Sequence, residues 1–420
     1  MPIPVKISET IGSYLFEWPA LRLRASISRI AEDRHSRTTS AEIRFVSLAP
    51  ASPEHIYLDR LNLLSAQRKG ALAKQLAERV EIAAPWEDLI EFICTETLRR
   101  YREGDPIIQV GNLPVEKVVR YRLYPLMPEG SPTILYGEPG AFKSYFALLI
   151  SLLVASGEPR LGLNPIQGNV LYLDYETSQD EVNERLVALG KGFGMTVPNI
   201  DYRFCALPLE ADADYIQGVV TEREINLIVI DSIGLACGGS LTEGEPTIQI
   251  YRVLRRLRCS SLLIDHTGKT EKKLEKTPFG STYKTIYARS AWEAKRVQDL
   301  GSDTLRIGLF HRKVNRGKLR LPLGFEAHFE NTGDEDIDKI MMTRADVRDD
   351  HELSQYVPLK EQVAHCLSEQ ALTIPEIATR LDKSEANIHT YLKRLDKRVV
   401  KLKDGKWGLA SNYGTQEIAF

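Results

Sequence analysis

An α/β fold, with a mostly parallel sheet flanked by helices, is what this 420-residue sequence predicts. Three observations carry that expectation. Short runs rich in branched residues, "TILYG", "VLYLDYE", "LIVIDS", "SLLIDH" and "LRIGLFH", recur between about 111 and 330. Most are apolar throughout rather than alternating, as strands buried on both faces of a parallel sheet must be. Helical stretches separate them, and strand, helix, strand in sequence implies a layered, doubly wound arrangement.

Composition sets the frame around this core. Hydrophobic residues make up 43% and charged residues 27%, as in an ordinary globular chain. The net charge of −2 excludes a uniformly basic coat, so any contact with nucleic acid has to come from local patches. Five scattered cysteines, none in C-x-x-C spacing, indicate neither a zinc site nor a disulfide framework. The longest apolar run, "YFALLISLLVA", falls short of the roughly 20 residues a membrane-spanning helix needs. The N-terminus shows no signal-peptide pattern, so a cytoplasmic location without membrane contact is expected.

Along the chain, residues 1–110 mix strands ("LRLRASISRI", "AEIRFVSLA") with two helices, through "YLDRLNLLSAQRKGALAKQLAERV" and "PWEDLIEFICTETLRRYREG", and predict a small α+β domain without a chemical motif. Residues 111–330 form the α/β core. Residues 331–357 are polar and aperiodic, as in a linker. Residues 358–411 predict three helices, "LKEQVAHCLSEQ", "TIPEIATRLD" and "SEANIHTYLKRLDKR", followed by the hairpin "VVKLKDGKWGLA".

The chemistry starts at "GEPGAFKS". The phosphate-loop pattern G-x-x-x-x-G-K-[ST] is met at Gly137, Lys143 and Ser144, but Phe142 stands where glycine is usual. The stretch joins a strand pattern to a helical one, the context the motif requires. Backbone N–H groups from Gly140 to Ser144 can cradle a β-phosphate at the helix N-terminus. Glu138, Pro139, Ala141 and Tyr145 complete the cradle. Lys143 can reach the β- and γ-phosphates, and the Ser144 hydroxyl can ligate Mg²⁺. Phe142 is tolerable if it takes helical dihedrals and turns its ring from the phosphates. "LIVIDS" ends in Asp231, a carboxylate able to hold the Mg²⁺ water shell, or simply to cap the next helix. "VLYLDYE" ends in Glu176, able to polarise a water, with Asp174 competing for that role.

In this order, "ILYGEPGAFKS", "VLYLDYE", "LIVIDS" and "LLIDHTGK" resemble the RecA-like ATPases, in particular the RepA/DnaB-like group of hexameric replicative helicases. The resemblance implies a RecA-like core that binds ATP and Mg²⁺. It implies that Lys143 and Ser144 are the phosphate-loop pair, Asp231 the metal carboxylate and Glu176 the catalytic glutamate. His266 would be the sensor of the γ-phosphate, unless it is a strand-end histidine satisfied locally. It further implies a homo-oligomeric ring, expected to be hexameric, in which a neighbour supplies a cationic finger. Lys313 and Arg316 in "LFHRKVNRGKLR" match best, with Arg312 and Arg289 as alternates and a solvated basic hairpin as the plain alternative. Single-stranded DNA is the expected partner, with double-stranded DNA as a second. The loop after His266 carries Lys269, Lys272, Lys273, Lys276 and Lys284, interleaved with Phe279 and Tyr283, suited to phosphates and bases or to a solvated loop. The C-terminal helices and hairpin resemble a winged helix-turn-helix, with Lys393 and Arg394 on its second helix. Tyr391 to Lys406 holds seven Lys/Arg against two Asp, a net of +5. The resemblance thus implies a DNA helicase of a plasmid, phage or other mobile element, or else a DNA-binding regulatory ATPase that does not unwind.

Overall fold

The computed structural model describes residues 3–10, 13–33, 35–49, 55–80, 82–104, 107–111, 118–240, 242–268, 277–280, 282–331 and 337–413. The chain divides into two compact units, Met1–Val118 with Leu209–Glu224, and Val119–Pro208 with Ile225–Phe420.

The first unit is an antiparallel meander of β1 (Lys6–Thr10), β2 (Ser13–Trp18), β3 (Leu23–Asp33), β4 (Thr38–Ser47) and β5 (His55–Asn62), followed by α1 (Ala66–Arg79) and α2 (Trp86–Glu103). Burial alternates along β2 to β4, the period of a sheet covered on one face. Phe16, Trp18, Ile27, Ile43 and Phe45 pack with Leu76, Trp86, Ile90 and Ile93 of the helices. The single helix expected from Tyr57 to Val80 is a strand and a helix instead. "HIYLDRLN" pairs with β4, and Ser65 then caps α1 by accepting from the Arg68 N–H at 3.3 Å.

In the second unit a three-stranded sheet is made by β6 (Tyr121–Tyr124), β7 (Met127–Pro128) and, later in the chain, β9 (Asn164–Pro165). The main elements are β8 (Pro132–Gly137), α3 (Lys143–Ser156), β10 (Asn169–Asp174), α4 (Gln179–Phe193), β11 (Asp201–Phe204), then α5 (Leu209–Glu222), which belongs to the first unit, β12 (Ile225–Asp231), α6 (Ile233–Ala236), α7 (Gly244–Leu257), β13 (Ser260–His266), α8 (Tyr283–Tyr287), β14 (Ser290–Val297), β15 (Thr304–Val314), β16 (Leu323–Asn331) and β17 (Ile337–Ala345). The sheet runs β11-β10-β12-β13-β8-β14-β15-β16-β17. From β11 to β14 every pairing is parallel, and β15 to β17 add antiparallel strands. This is the expected α/β core, a large, mostly parallel sheet with helices beside it. The apolar run "YFALLISLLVA" is α3, buried on nearly all sides in the main hydrophobic cluster. Among the described residues no helix is long and apolar enough to cross a membrane.

Residues 331–357 are not a linker. Within them β17 extends the sheet, and α9 (His351–Ser354) follows. Gly192 of α4 lies so close to β17 that a Cβ there would sit 1.8 Å from the Ile340 carbonyl oxygen. Val347, Leu353 and Val357 pack on Val297 and Phe310. Apolar side chains spaced through the polar stretch anchor its described part, from Ile337 on, to the core.

The last elements are α10 (Leu359–Glu369), α11 (Ile374–Leu381), α12 (Glu385–Leu395), a hairpin of β18 (Val399–Lys401) and β19 (Trp407–Leu409), and the short α13 (Ala410–Tyr413). Thr373 and Glu376 form a capping box at α11, and the Ser384 side chain accepts from Asn387 N–H at α12. Val363, Leu367, Ile377, Ile388 and Leu392 form their core.

Candidate nucleotide site

The loop between β8 and α3 is wrapped on the Lys143 side chain. Lys143 Nζ donates to the Glu138 carbonyl at 2.8 Å, and Ala141 N–H donates to the same oxygen at 3.1 Å. Gly140 takes φ +74°, a conformation open to glycine without steric cost. Phe142 is left-handed too, at φ 65° and ψ 17°, so it does not take the helical dihedrals expected of it but the conformation a glycine would supply. That conformation costs a residue with a Cβ about 1–2 kcal/mol. The ring offsets it. It is 6% exposed, stacks on Tyr145 at 4.6 Å and meets Phe146 and Phe329 edge-on at 6.0 Å. The aromatic residue is therefore a packing element of the core, and the loop keeps its shape without the usual glycine.

Three strand tips bring the other groups together. Asp231, at the end of β12, is buried and accepts from Tyr172 Oη at 2.6 Å on Oδ2 and from the Ser144 hydroxyl. Burial raises its pKa, and these two hydrogen bonds oppose the rise. Its Oδ1 is buried without a hydrogen-bond partner. An orphaned carboxylate oxygen beside a serine hydroxyl fits a hydrated Mg²⁺, so Ser144 and Asp231 are the residues that would hold it.

Glu176 follows β10. Its Oε1 accepts from the Ser232 hydroxyl and faces His266 Nε2 at 3.4 Å. The hydrogen bond from His266, then those from Ser232 and the charge of Lys143, hold its pKa below the usual glutamate value against partial burial. Glu176 is thus a carboxylate with its proton-accepting form favoured. His266 ends β13, with Nδ1 3.4 Å from Lys143 Nζ, so imidazole, ammonium and carboxylate lie in contact. Burial lowers the Lys143 pKa, while Asp231 and Glu176 resist that shift. Asp174 is accounted for differently. Its carboxylate accepts from the N–H groups of Glu176 and Thr177 at 3.0 Å, from the Thr177 hydroxyl at 2.8 Å and from Tyr202 at 3.0 Å. It therefore shapes the turn that presents Glu176.

These groups open onto a cavity of about 460 Å³, within the range of small-molecule sites. Gly140, Lys143, Ser144, Glu176, Asp231 and His266 line its polar part. Tyr145, Arg185, Arg296, Gln298, Leu305 and Phe329 close the rest. Both faces of the Tyr145 ring are taken, by Phe142 and by the Arg185 guanidinium at 4.9 Å.

Sequence reasoning missed Arg185, Arg296, Gln298 and Phe329. Arg296 and Gln298 follow from β14, whose "SAWEAKRV" has no clean period because Glu293 is buried as well. The strand next to β8 was therefore not recognised. Its alternating Trp292 and Ala294, immediately before a cation, was the available signal.

Other expected residues are placed elsewhere. Lys284 is fully buried, with Nζ 2.9 Å from Asp265 Oδ2, so it does not reach nucleic acid. Asp265 is occupied by this pair rather than by the His266 ring. Lys313 Nζ donates to the carbonyls of Thr285, Ile286 and Ala288 at 2.6–2.7 Å, so its charge closes the end of α8 rather than projecting as a finger. Arg312 Nε is 2.9 Å from Glu293. Arg316 is exposed in the turn after β15, and Lys393 and Arg394 are exposed on α12. Lys269, Lys272, Lys273 and Lys276 lie outside the described residues.

Residues 112–272 match a family model described as an AAA domain. That stretch contains the phosphate loop and strands β8, β10, β12 and β13. The match supports reading this stretch as a P-loop ATPase domain. No curated protein matches the sequence. Among solved structures, a KaiC-like protein from the hyperthermophilic archaeon Pyrococcus horikoshii is similar at 16% identity, covering 54% of this chain and 99% of that one, with a TM-score of 0.36. The matched stretch holds Lys143, Ser144, Glu176, Asp231 and His266, whereas Arg296 and Phe329 come from β14 and β16 beyond it and Gln298 follows β14.

Proposed function

We propose that the chain is a Mg²⁺-dependent ATPase that assembles into a ring, expected to be hexameric, and translocates on single-stranded DNA to unwind duplex. One observation carries the reading. His266 touches Glu176 and Lys143 with its ring, and its carbonyl accepts from the Phe279 N–H at 2.7 Å. The segment that leaves the strand after His266 thus returns to the same residue. Loss of a γ-phosphate beside Glu176 would be felt by the imidazole and by both ends of that segment. The segment's sequence supplies Lys269, Lys272, Lys273 and Lys276 for phosphates. A difference in DNA affinity between its nucleotide-bound and nucleotide-free positions is what couples hydrolysis to movement.

In this reading Mg²⁺ supplies charge neutralisation at the β- and γ-phosphates. Lys143 turns from the Glu138 carbonyl to the γ-phosphate, and Glu176 orients the attacking water and accepts its proton. With Lys313 and Arg312 committed inside their own chain, the exposed Arg316 and Arg289 remain as the finger candidates.

The test is ATP turnover and strand displacement on forked DNA. Wild-type protein should do both, and Lys143→Ala should do neither. Turnover retained in that variant removes the site assignment, whereas turnover without displacement on any fork removes the helicase assignment. The exposed Asn387, His389, Lys393 and Arg394 on α12 favour a second reading, a winged-helix DNA-binding switch that does not unwind. A sequence-specific footprint that needs no hydrolysis selects it.

A further inference from the structure

Arg296 is the uncommitted cation of the cavity. It stands near the end of β14, which pairs in parallel with β8, Ala294 lying opposite Gly137. A Cβ built on Gly140 would fall 3.5 Å from Arg296 Nη2 and 3.7 Å from both Cζ and Nη1. Three guanidinium atoms at nearly equal distance mean that the plane lies face-on to Gly140 of the phosphate loop, and Arg296 lines the cavity. Its neighbours are all tied to carboxylates. Lys295 and Arg312 flank Glu293 at 2.7 and 2.9 Å, Arg306 lies 2.6 Å from Asp350, and Arg185 pairs with Glu181. Among the described residues no carboxylate pairs with Arg296. An exposed guanidinium held face-on to a loop of N–H donors adds a fixed positive charge to an anion cradle.

The strand order says which part of a polyphosphate it meets. Glu176, Asp231 and His266 come from β10, β12 and β13, all on one side of β8, and Arg296 comes from β14 on the other. If Glu176 acts at the γ-phosphate, as proposed above, the opposite flank faces the α- and β-phosphates. We infer that Arg296 is an in-chain nucleotide-binding residue that donates to the α/β-diphosphate of ATP and ADP alike. It is distinct from any cation contributed by a neighbouring subunit, and it rests on the ATPase reading of this site.

Equilibrium binding of ATP, ADP and adenosine to the full chain tests this, with Arg296→Ala and the neutral but polar Arg296→Gln beside Lys143→Ala. Removing one charge-assisted contact should weaken ATP and ADP equally, by roughly tenfold or more. Adenosine binding should not change, and Arg296→Lys should recover part of the loss. Wild-type affinity for both nucleotides in both neutral variants, while Lys143→Ala has lost them, overturns the inference and leaves the site standing. A loss confined to ATP overturns the diphosphate assignment. An equal loss for adenosine, or a lower melting temperature without any change in the ratio of ADP to adenosine affinity, makes Arg296 a packing residue and overturns it too. Unchanged ATP binding in Lys143→Ala sinks the nucleotide-site reading itself.

Discussion

Replacing Phe142 by glycine would bring the loop to the usual phosphate-loop pattern, and it should nevertheless destabilise the protein. Two effects oppose each other. Glycine relieves the left-handed strain at φ 65°, worth about 1 kcal/mol. It also deletes a ring that is 6% exposed and packed against Tyr145, Phe146 and Phe329, a loss of about 3–5 kcal/mol for a buried phenylalanine. The net is a loss of about 2–4 kcal/mol. Phe142→Ala removes the same ring but keeps a Cβ in the strained conformation, so it should be less stable than Phe142→Gly by about 1 kcal/mol. The order is wild type, then glycine, then alanine. Urea unfolding followed by circular dichroism measures it. With an m-value of about 3 kcal/mol/M, the glycine variant's midpoint should fall by about 1 M. A glycine variant as stable as wild type would show that the ring contributes nothing. An alanine variant at or above the glycine variant would show that no strain is borne at 142.

Two further perturbations probe the core around the site. Lys284→Met strands Asp265 in a buried position without its counter-charge and should cost about 3–5 kcal/mol, read as a lowered melting temperature. Adding Asp265→Leu should restore most of that loss, and a single variant that melts like wild type refutes the pairing. His311 is buried against Trp292, with Nδ1 accepting from the Arg320 N–H at 3.0 Å, and burial pushes its pKa from about 6.5 down to about 4. The folded pKa lies below the unfolded one, so the unfolded chain binds more protons in between. The neutral ring's contribution is present above about pH 6.5 and is lost as pH falls towards about 4. A histidine resonance assigned to His311 that titrates near 6.5 in the folded protein contradicts this.

The phosphate-loop core was legible because its signals are local. "TILYG", "VLYLDYE", "LIVIDS" and "SLLIDH" are apolar runs long enough to be strands, and each ends at or near a candidate site residue. Lys143, Ser144, Glu176, Asp231 and His266 meet because parallel strands bring all their C-terminal ends to one edge. The α1 boundary failed because helical periodicity ran through "YLDRLN", where pairing with β4 decides otherwise. Residues 331–357 looked like a linker because Ile340, Met342, Val347, Leu353 and Val357, the buried apolar side chains among the described residues there, are spread through polar sequence.

Sequence alone determined that a strand, a phosphate-binding turn and a buried helix follow one another, and that carboxylates stand at the neighbouring strand ends. Those facts depend on residues close together in the chain. The fates of the charged side chains were decided by tertiary structure. Lys284 and Lys313 have the composition of solvent-facing cations, yet one is buried on Asp265 and the other caps α8. Arg296 carried no motif and arrived at the phosphate loop. A charge settles where a partner or a carbonyl cluster lowers the cost of leaving water, and such partners come from strands and helices distant in sequence.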